Sequence, residues 1–165
     1  MKITFKLLLL LMLPLAIACG NDKKEEKEQI KLSEPPTEQT KKEPATATSE
    51  TIDMDNKGVG PVKEVNLDEN IDQAMATHGQ ELFQQNCTAC HKTDKKFIGP
   101  AIAGVTERRS PEWIMNMILN PDVMIQEDPI AKQLLIAHNG SPMANQGLDR
   151  EQARAILEYF RTLKE

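Results

Sequence analysis

The sequence contains Cys87, Cys90 and His91 in the pattern C-x-x-C-H. On a helical turn the first, fourth and fifth positions share one face, so the two thiols and the imidazole project together. Two thiols placed in this way can bond to the two vinyl groups of a haem while the imidazole reaches its iron, and the pattern is the attachment signature of c-type haem. The spacing therefore predicts one covalent haem c, with His91 as a ligand of the iron.

Two other chemistries use a pair of cysteines at this spacing. A thioredoxin-like redox site places its C-x-x-C beside a βαβ pattern, whereas this pair follows a helical segment. A structural zinc site takes four ligands, and the sequence offers only His78 and His138 as further histidines. We therefore favour haem attachment over both alternatives.

Four amphipathic segments in the second half of the chain are predicted to position this motif. Apolar residues recur in each segment at helical spacing, and no segment alternates as a strand does. Each segment begins with a capping signal, which two of them follow with a proline. The predicted caps are Asp72, Ser110, Asp128 and Asp149, the last with Gln152 in a capping box. The predicted class is all-α, with four or five helices and a long irregular stretch from Lys92 to Arg109.

The apolar core available to these helices is thin. Residues 74–165 contain only five aromatic side chains, four Phe or Trp and one Tyr. A domain of this size with a long irregular stretch needs more buried apolar surface than those side chains supply. We therefore expect an additional group to fill the core.

Residues 74–165 resemble a monohaem class I cytochrome c domain. Gly79 and Phe83 stand eight and four residues before Cys87, as in the first helix of that family, where the glycine lets the last helix cross closely. Ile156 and Tyr159 resemble the apolar and aromatic pair of that last helix. The resemblance implies a class I cytochrome c fold wrapped around one covalent haem.

The resemblance also implies two residues that surround the haem. Gly99 and Pro100 resemble the family's loop in which a proline carbonyl accepts the other N–H of the proximal histidine, which fixes its tautomer and raises its basicity. Trp113 is expected to donate its indole N–H to a haem propionate, as tryptophans near this place do in the family. Packing in the core is the alternative role for Trp113.

Met143 is the expected sixth ligand of the iron. It lies in a rigid loop just before the last helix, where the family carries its axial methionine, although here the proline precedes it and Ala144 follows. Met124, expected in a turn after Pro121, His138 and an open sixth site are the alternatives. A histidine and methionine pair saturates the iron and favours electron transfer, so we expect no enzymatic activity. The other methionines of this region are expected to fill the core; they are Met75, Met115 and Met117.

The first 18 residues resemble a bacterial lipoprotein signal peptide. Lys2 and Lys6 precede an apolar run of about a dozen residues, too short to span a bilayer. Residues 15–19 resemble a lipobox, which implies that Cys19 is lipidated and anchors the protein in the cell membrane or outer membrane, facing the periplasm. An ordinary Cys19 in a signal cut elsewhere is the alternative.

Residues 19–73 are predicted to form a disordered acidic linker. Residues 20–73 carry 8 basic and 14 acidic residues and no aromatic residue, so they bury too little apolar surface to offset their ordering entropy. The formal net charge of the chain is -5, which argues against nucleic-acid binding. A coil of this length reaches about 40 Å end to end, which suits a tether.

These features together predict a membrane-anchored, monomeric carrier of single electrons between a quinol-oxidising complex and a terminal oxidase or reductase. Residues 108–159 loosely resemble small cytochromes linked to nitrous oxide reduction. Lys92, Lys95 and Lys96, with Arg108 and Arg109 later in the same region, form either a docking site or a solvated basic loop. A haem-based sensor and a haem-bearing assembly lipoprotein are the alternative functions.

Overall fold

The computed structural model describes residues 51–164. This range contains six helices and no sheet, so the all-α prediction is confirmed. The predicted signal peptide, Cys19 and the linker as far as residue 50 lie outside the described residues. The helices are α1 (Gln73–Asn86), α2 (Val105–Arg108), α3 (Pro111–Leu119), α4 (Pro121–Glu127), α5 (Pro129–Ala137) and α6 (Arg150–Arg161).

All four predicted caps are formed. The side chains of Asp72, Ser110 and Asp128 each accept a hydrogen bond from a backbone N–H in the first turn of the following helix, at 2.8–3.1 Å. Asp149 and Gln152 form the reciprocal capping box at the start of α6. The starts of α1, α3, α5 and α6 were therefore readable from local chemistry.

Two short helices were not predicted. Met124, expected in a turn, lies in α4, because Pro121 both ends α3 and occupies the first turn of a new helix, where its missing N–H costs nothing. The stretch from 92 to 109, expected to be irregular throughout, contains the single turn α2. Its N-cap is Gly104 at φ 68°, a left-handed conformation that favours glycine.

The crossing of α1 and α6 forms the centre of the fold. A Cβ atom on Gly79 would stand 1.9 Å from the Ala155 carbonyl oxygen, so only glycine permits this approach. The rings of Tyr159 and Phe160 pack on Phe83 with centroid separations of 5.6 and 5.7 Å. The crossing places the end of α1, and with it the C-x-x-C-H turn, against the core.

The structure corrects one boundary of the predicted linker. Residues 51–65, which we call the strap, run across α3 and α4 instead of forming part of a disordered tether. Val62 is fully buried, and the amide of Asn116 accepts from its N–H and donates to its carbonyl at 2.9 and 2.8 Å. Apolar side chains at 59, 62, 65 and 67 pack against the core. Their burial offsets the entropy cost of ordering this segment, which its polar composition had suggested would not be offset.

A buried carboxylate joins the chain before α1 to α6. Glu158 is 1% exposed and accepts hydrogen bonds from the Asp72 N–H at 2.9 Å and from Arg161 at 2.6 Å, and it is also paired with Arg154.

Within residues 51–164, no helix combines the length and apolar character that a bilayer crossing requires.

Candidate functional site

A large, mainly apolar cavity opens beside the C-x-x-C-H turn. Its space is about 1350 Å³, including the part open to solvent. The end of α1, the loop at 98–102, α3, α5 and the loop at 141–144 contribute to its wall. All six predicted site residues line it: Cys87, Cys90, His91, Pro100, Trp113 and Met143. A planar apolar group of haem size fits such a space, which agrees with the expectation that an additional group fills the core.

The cysteine pair lies on a tight turn that continues α1. The Cys87 N–H donates to the Phe83 carbonyl, and the N–H groups of Cys90 and His91 both donate to the Cys87 carbonyl, at 2.9–3.1 Å. Burial, and to a lesser degree Cys90, raises the pKa of the Cys87 thiol to about 11. A redox-active cysteine pair instead depends on a lowered thiol pKa, so the environment disfavours the thioredoxin-like alternative.

His91 is held in one tautomer. Its Nδ1 lies 3.0 Å from the Pro100 carbonyl oxygen, which can only accept, so Nδ1 carries the proton and Nε2 has the free lone pair. Burial lowers the pKa of His91, partly opposed by the bond to Pro100, which favours the neutral form that a metal ligand requires. Gly99 lies against the ring, because a Cβ there would approach its Cε1 to 2.5 Å.

The alternative sixth ligands differ in how they are placed. Met143 is partly buried and lines the cavity. The Met124 sulfur is buried away from it and accepts the Val59 N–H at 3.0 Å. His138 also lines the cavity, with its Nδ1 at 3.0 Å from the Ile98 carbonyl oxygen. Met143 is thus the methionine of the predicted loop that reaches the cavity, while Met124 has a structural role.

The environment of Trp113 differs from the expectation. Its indole N–H donates to Asp128 Oδ1 at 3.1 Å, so this single donor is committed within the protein and does not serve a haem propionate. The ring still forms part of the cavity wall.

The polar group that sequence reasoning missed is Arg109, which is 2% exposed and lines the cavity although it was predicted to lie on a basic surface loop.

Among residues 51–164, no group of three or more His, Cys, Asp or Glu side chains is arranged to hold a metal ion. His78 lies on the exposed side of α1 beside Glu81. The donors required for a protein-only zinc site are therefore not assembled in this range.

Comparison with known proteins decides between the remaining interpretations. A family model described as cytochrome c matches residues 76–164. The chain belongs to the cytochrome c family. Membership implies a covalently bound haem c. The donor set fits this cofactor: Cys87 and Cys90 would hold the ring, and bound haem c supplies a reversible one-electron couple at its iron.

Solved and curated relatives agree with this assignment. A cytochrome c from Rhodothermus marinus is 54% identical, with a TM-score of 0.61 over 63% of this chain and 89% of that one. A cytochrome c-553-like protein of Synechocystis is 32% identical over 62 residues, and a cytochrome c2 of Rhodopseudomonas palustris is 49% identical over 35 residues. The chain spans 59% and 30% of the lengths of these two curated relatives.

Proposed function

We propose that the protein is a membrane-anchored, periplasm-facing cytochrome c that carries single electrons from a quinol-oxidising complex to a terminal oxidase or reductase, such as nitrous oxide reductase. The observation that carries this proposal is the placement of His91 and Met143 on one cavity beside the cysteine turn. An iron held by histidine and methionine has no open position for a substrate, and its potential is raised. Electron transfer is the chemistry that remains.

Anchoring by a lipid on Cys19 supports a shuttle between membrane complexes. The lipobox-like residues 15–19 supply the anchor, and the acidic residues that follow supply reach. Because the strap packs on the domain, the tether of this proposal ends near residue 50 instead of 73. The haem domain acts as a monomer at the end of this tether.

An exposed apolar and basic patch at the cavity edge supports docking to an acidic partner. Phe97 and Ile136 are 51% and 77% exposed, and Ile98, which is 46% exposed, lines the cavity. Lys92 lies over the Phe97 ring at 4.9 Å, and the Lys96 ammonium donates to the Ala137 carbonyl at 2.9 Å. Exposed apolar side chains among cations suit brief contact with an acidic redox partner, since complementary charge speeds encounter.

Measurements of electron transfer between the protein and membrane-bound respiratory complexes test this proposal. The lipidated full chain is reduced by a quinol-oxidising complex, and its reoxidation by terminal enzymes is followed optically at rising salt. We expect rates that fall with salt, a loss of about tenfold in Lys95→Glu/Lys96→Glu, and little change in the control Lys63→Glu on the strap.

The same preparation tests the ligand assignment. Met143→Ala should open the iron to carbon monoxide, whereas the unaltered reduced protein should bind it poorly. Ready carbon monoxide binding by the unaltered protein would favour the sensor alternative. A haem that neither complex reduces nor oxidises would favour the assembly lipoprotein.

A further inference from the structure

Arg109 is a buried cation with an unused donor. Its side chain is 2% exposed and lines the haem cavity, and its Nε is buried without a hydrogen-bond partner among the described residues. Its Nη1 donates to the carbonyls of Thr51 and Arg108. An unsatisfied guanidinium N–H in a buried position is unfavourable, so this donor points to an acceptor that the protein itself does not supply.

The charges around Arg109 indicate that the missing acceptor is an anion. Arg108 lies next to it and also lines the cavity, and burial together with Arg108 lowers the pKa of Arg109. The nearby carboxylate of Asp128 already accepts from Trp113, Ala131 and Asn56. A carboxylate is the acceptor that a guanidinium fork prefers, and the propionates are the carboxylates that a haem brings into its cavity.

The strap holds Arg109 in this position. The Thr51 carbonyl accepts from the guanidinium, and the Asp53 N–H donates to the Arg108 carbonyl at 2.9 Å in an isolated bridge that pairs Asp53 with Arg109. Further along, Asn56 bonds to Asp128 at 2.7 Å and accepts the Ser110 hydroxyl proton at 2.6 Å. Both the backbone and the side chain of Arg109 are therefore fixed by residues that precede the family-matched region 76–164.

We propose that the strap is part of the haem site, because it positions the Arg109 Nε–H to donate to a haem propionate. The ring of Trp113 supports the guanidinium from one side, with 5.4 Å between Arg109 Cζ and the ring centroid. A segment that sequence composition assigns to the tether thus acts on the iron through one side chain. Detaching the strap should change the haem in the same way as removing Arg109.

A double-mutant cycle on the full matured chain tests this coupling. Arg109→Gln removes the cation. Gly60→Val releases the strap without altering a cavity residue, because a Cβ at Gly60 would stand 2.3 Å from Asn116 Oδ1. Asn66→Val, at an exposed site just beyond the strap, is the matched control. The readout is the reduction potential of each protein by spectroelectrochemistry.

We expect Arg109→Gln to lower the reduction equilibrium constant about tenfold, or about 59 mV for a one-electron couple, since a nearby cation favours the reduced iron. Gly60→Val should shift it in the same direction by at least about threefold, and the double variant should match Arg109→Gln alone. Where Gly60→Val yields no haem protein, Asn56→Ala takes its place in the cycle.

Two results would overturn the proposal. One is a potential unchanged by Arg109→Gln, which would mean that the cation does not act on the haem. The other is strap variants that lower stability but leave the potential unaltered, or whose shift adds fully to that of Arg109→Gln, because the strap would then be only a structural element. The control Asn66→Val should leave the potential unaltered.

Discussion

Replacing Gly99 with alanine should disturb the proximal histidine through contact alone. The backbone of Gly99 is outside the left-handed region, so alanine meets no conformational barrier there. Its Cβ would stand 2.5 Å from His91 Cε1 and 2.8 Å from Nδ1. An ordinary contact is about 3.4 Å or more, so the ring must move by about 0.9 Å or the loop must retreat by as much.

The size of the effect follows from two contributions. Overpacking of this kind costs about 1–3 kcal/mol, and weakening the 3.0 Å bond to the Pro100 carbonyl costs about 1 kcal/mol. Reduced entropy of the unfolded chain returns about 0.4–1 kcal/mol. We expect a net loss of about 1–3 kcal/mol in the free energy of unfolding. We also expect a higher reduction potential, because a weaker bond to Pro100 leaves the imidazole less basic.

Urea unfolding and spectroelectrochemistry of the oxidised and reduced protein measure both quantities. Gly79→Ala is the matched comparison, because its Cβ clashes with the Ala155 backbone at the helix crossing, away from the imidazole. It should lower the stability and leave the potential unchanged. A Gly99→Ala protein with unaltered stability and potential would refute the argument, as would equal potential shifts in the two variants.

Three further outcomes are expected. Glu158→Gln should lower the free energy of unfolding by about 3 kcal/mol, because it leaves the partly buried Arg154 and Arg161 without their carboxylate partner. Glu151→Gln, at an exposed site of α6, should change the stability little, and equal effects of the two variants in urea unfolding would contradict this. Burial lowers the pKa of His138, so the unfolded chain binds the proton more tightly than the folded chain. The contribution of His138 to the free energy of unfolding is therefore fully present above about pH 6.5 and decreases as the pH falls below that value. His138→Asn should reduce the slope of this decrease by up to about 1 kcal/mol per pH unit, as measured by urea unfolding at a series of pH values. Trp113→Phe should lower the melting temperature by several degrees, because the hydrogen bond to Asp128 is lost, and should change the reduction potential by no more than about 10 mV. A larger change in potential would indicate that Trp113 does bond to a haem propionate, as expected from the sequence.

The parts of this fold that sequence predicted are those encoded locally. Capping residues act on N–H groups within the next turn, so the starts of four helices could be read from four positions. The C-x-x-C-H turn is local as well. Placement of Pro100 beside His91, nine residues along the chain, followed from the resemblance and is confirmed by the 3.0 Å contact.

The parts that sequence did not predict depend on distant partners. The backbone of Val62 bonds to the side chain of Asn116, which lies 54 residues further along the chain, and no residue near Val62 indicates that contact. Trp113, in the first turn of α3, donates to Asp128, the N-cap residue of α5, although the two residues are 15 positions apart. The sequence predicted Arg109 to be a surface cation, whereas it is buried and bonded to the Thr51 carbonyl of the strap.

The position of the strap determines where this domain can be shortened. A chain that starts at residue 74, the boundary that composition and family likeness both recommend, would uncover the groove that receives Val62 and strip two of the contacts that hold Arg109. A shortened version intended for crystallisation or engineering should therefore retain every residue from about Thr51 onward, and fusions are best joined upstream of it.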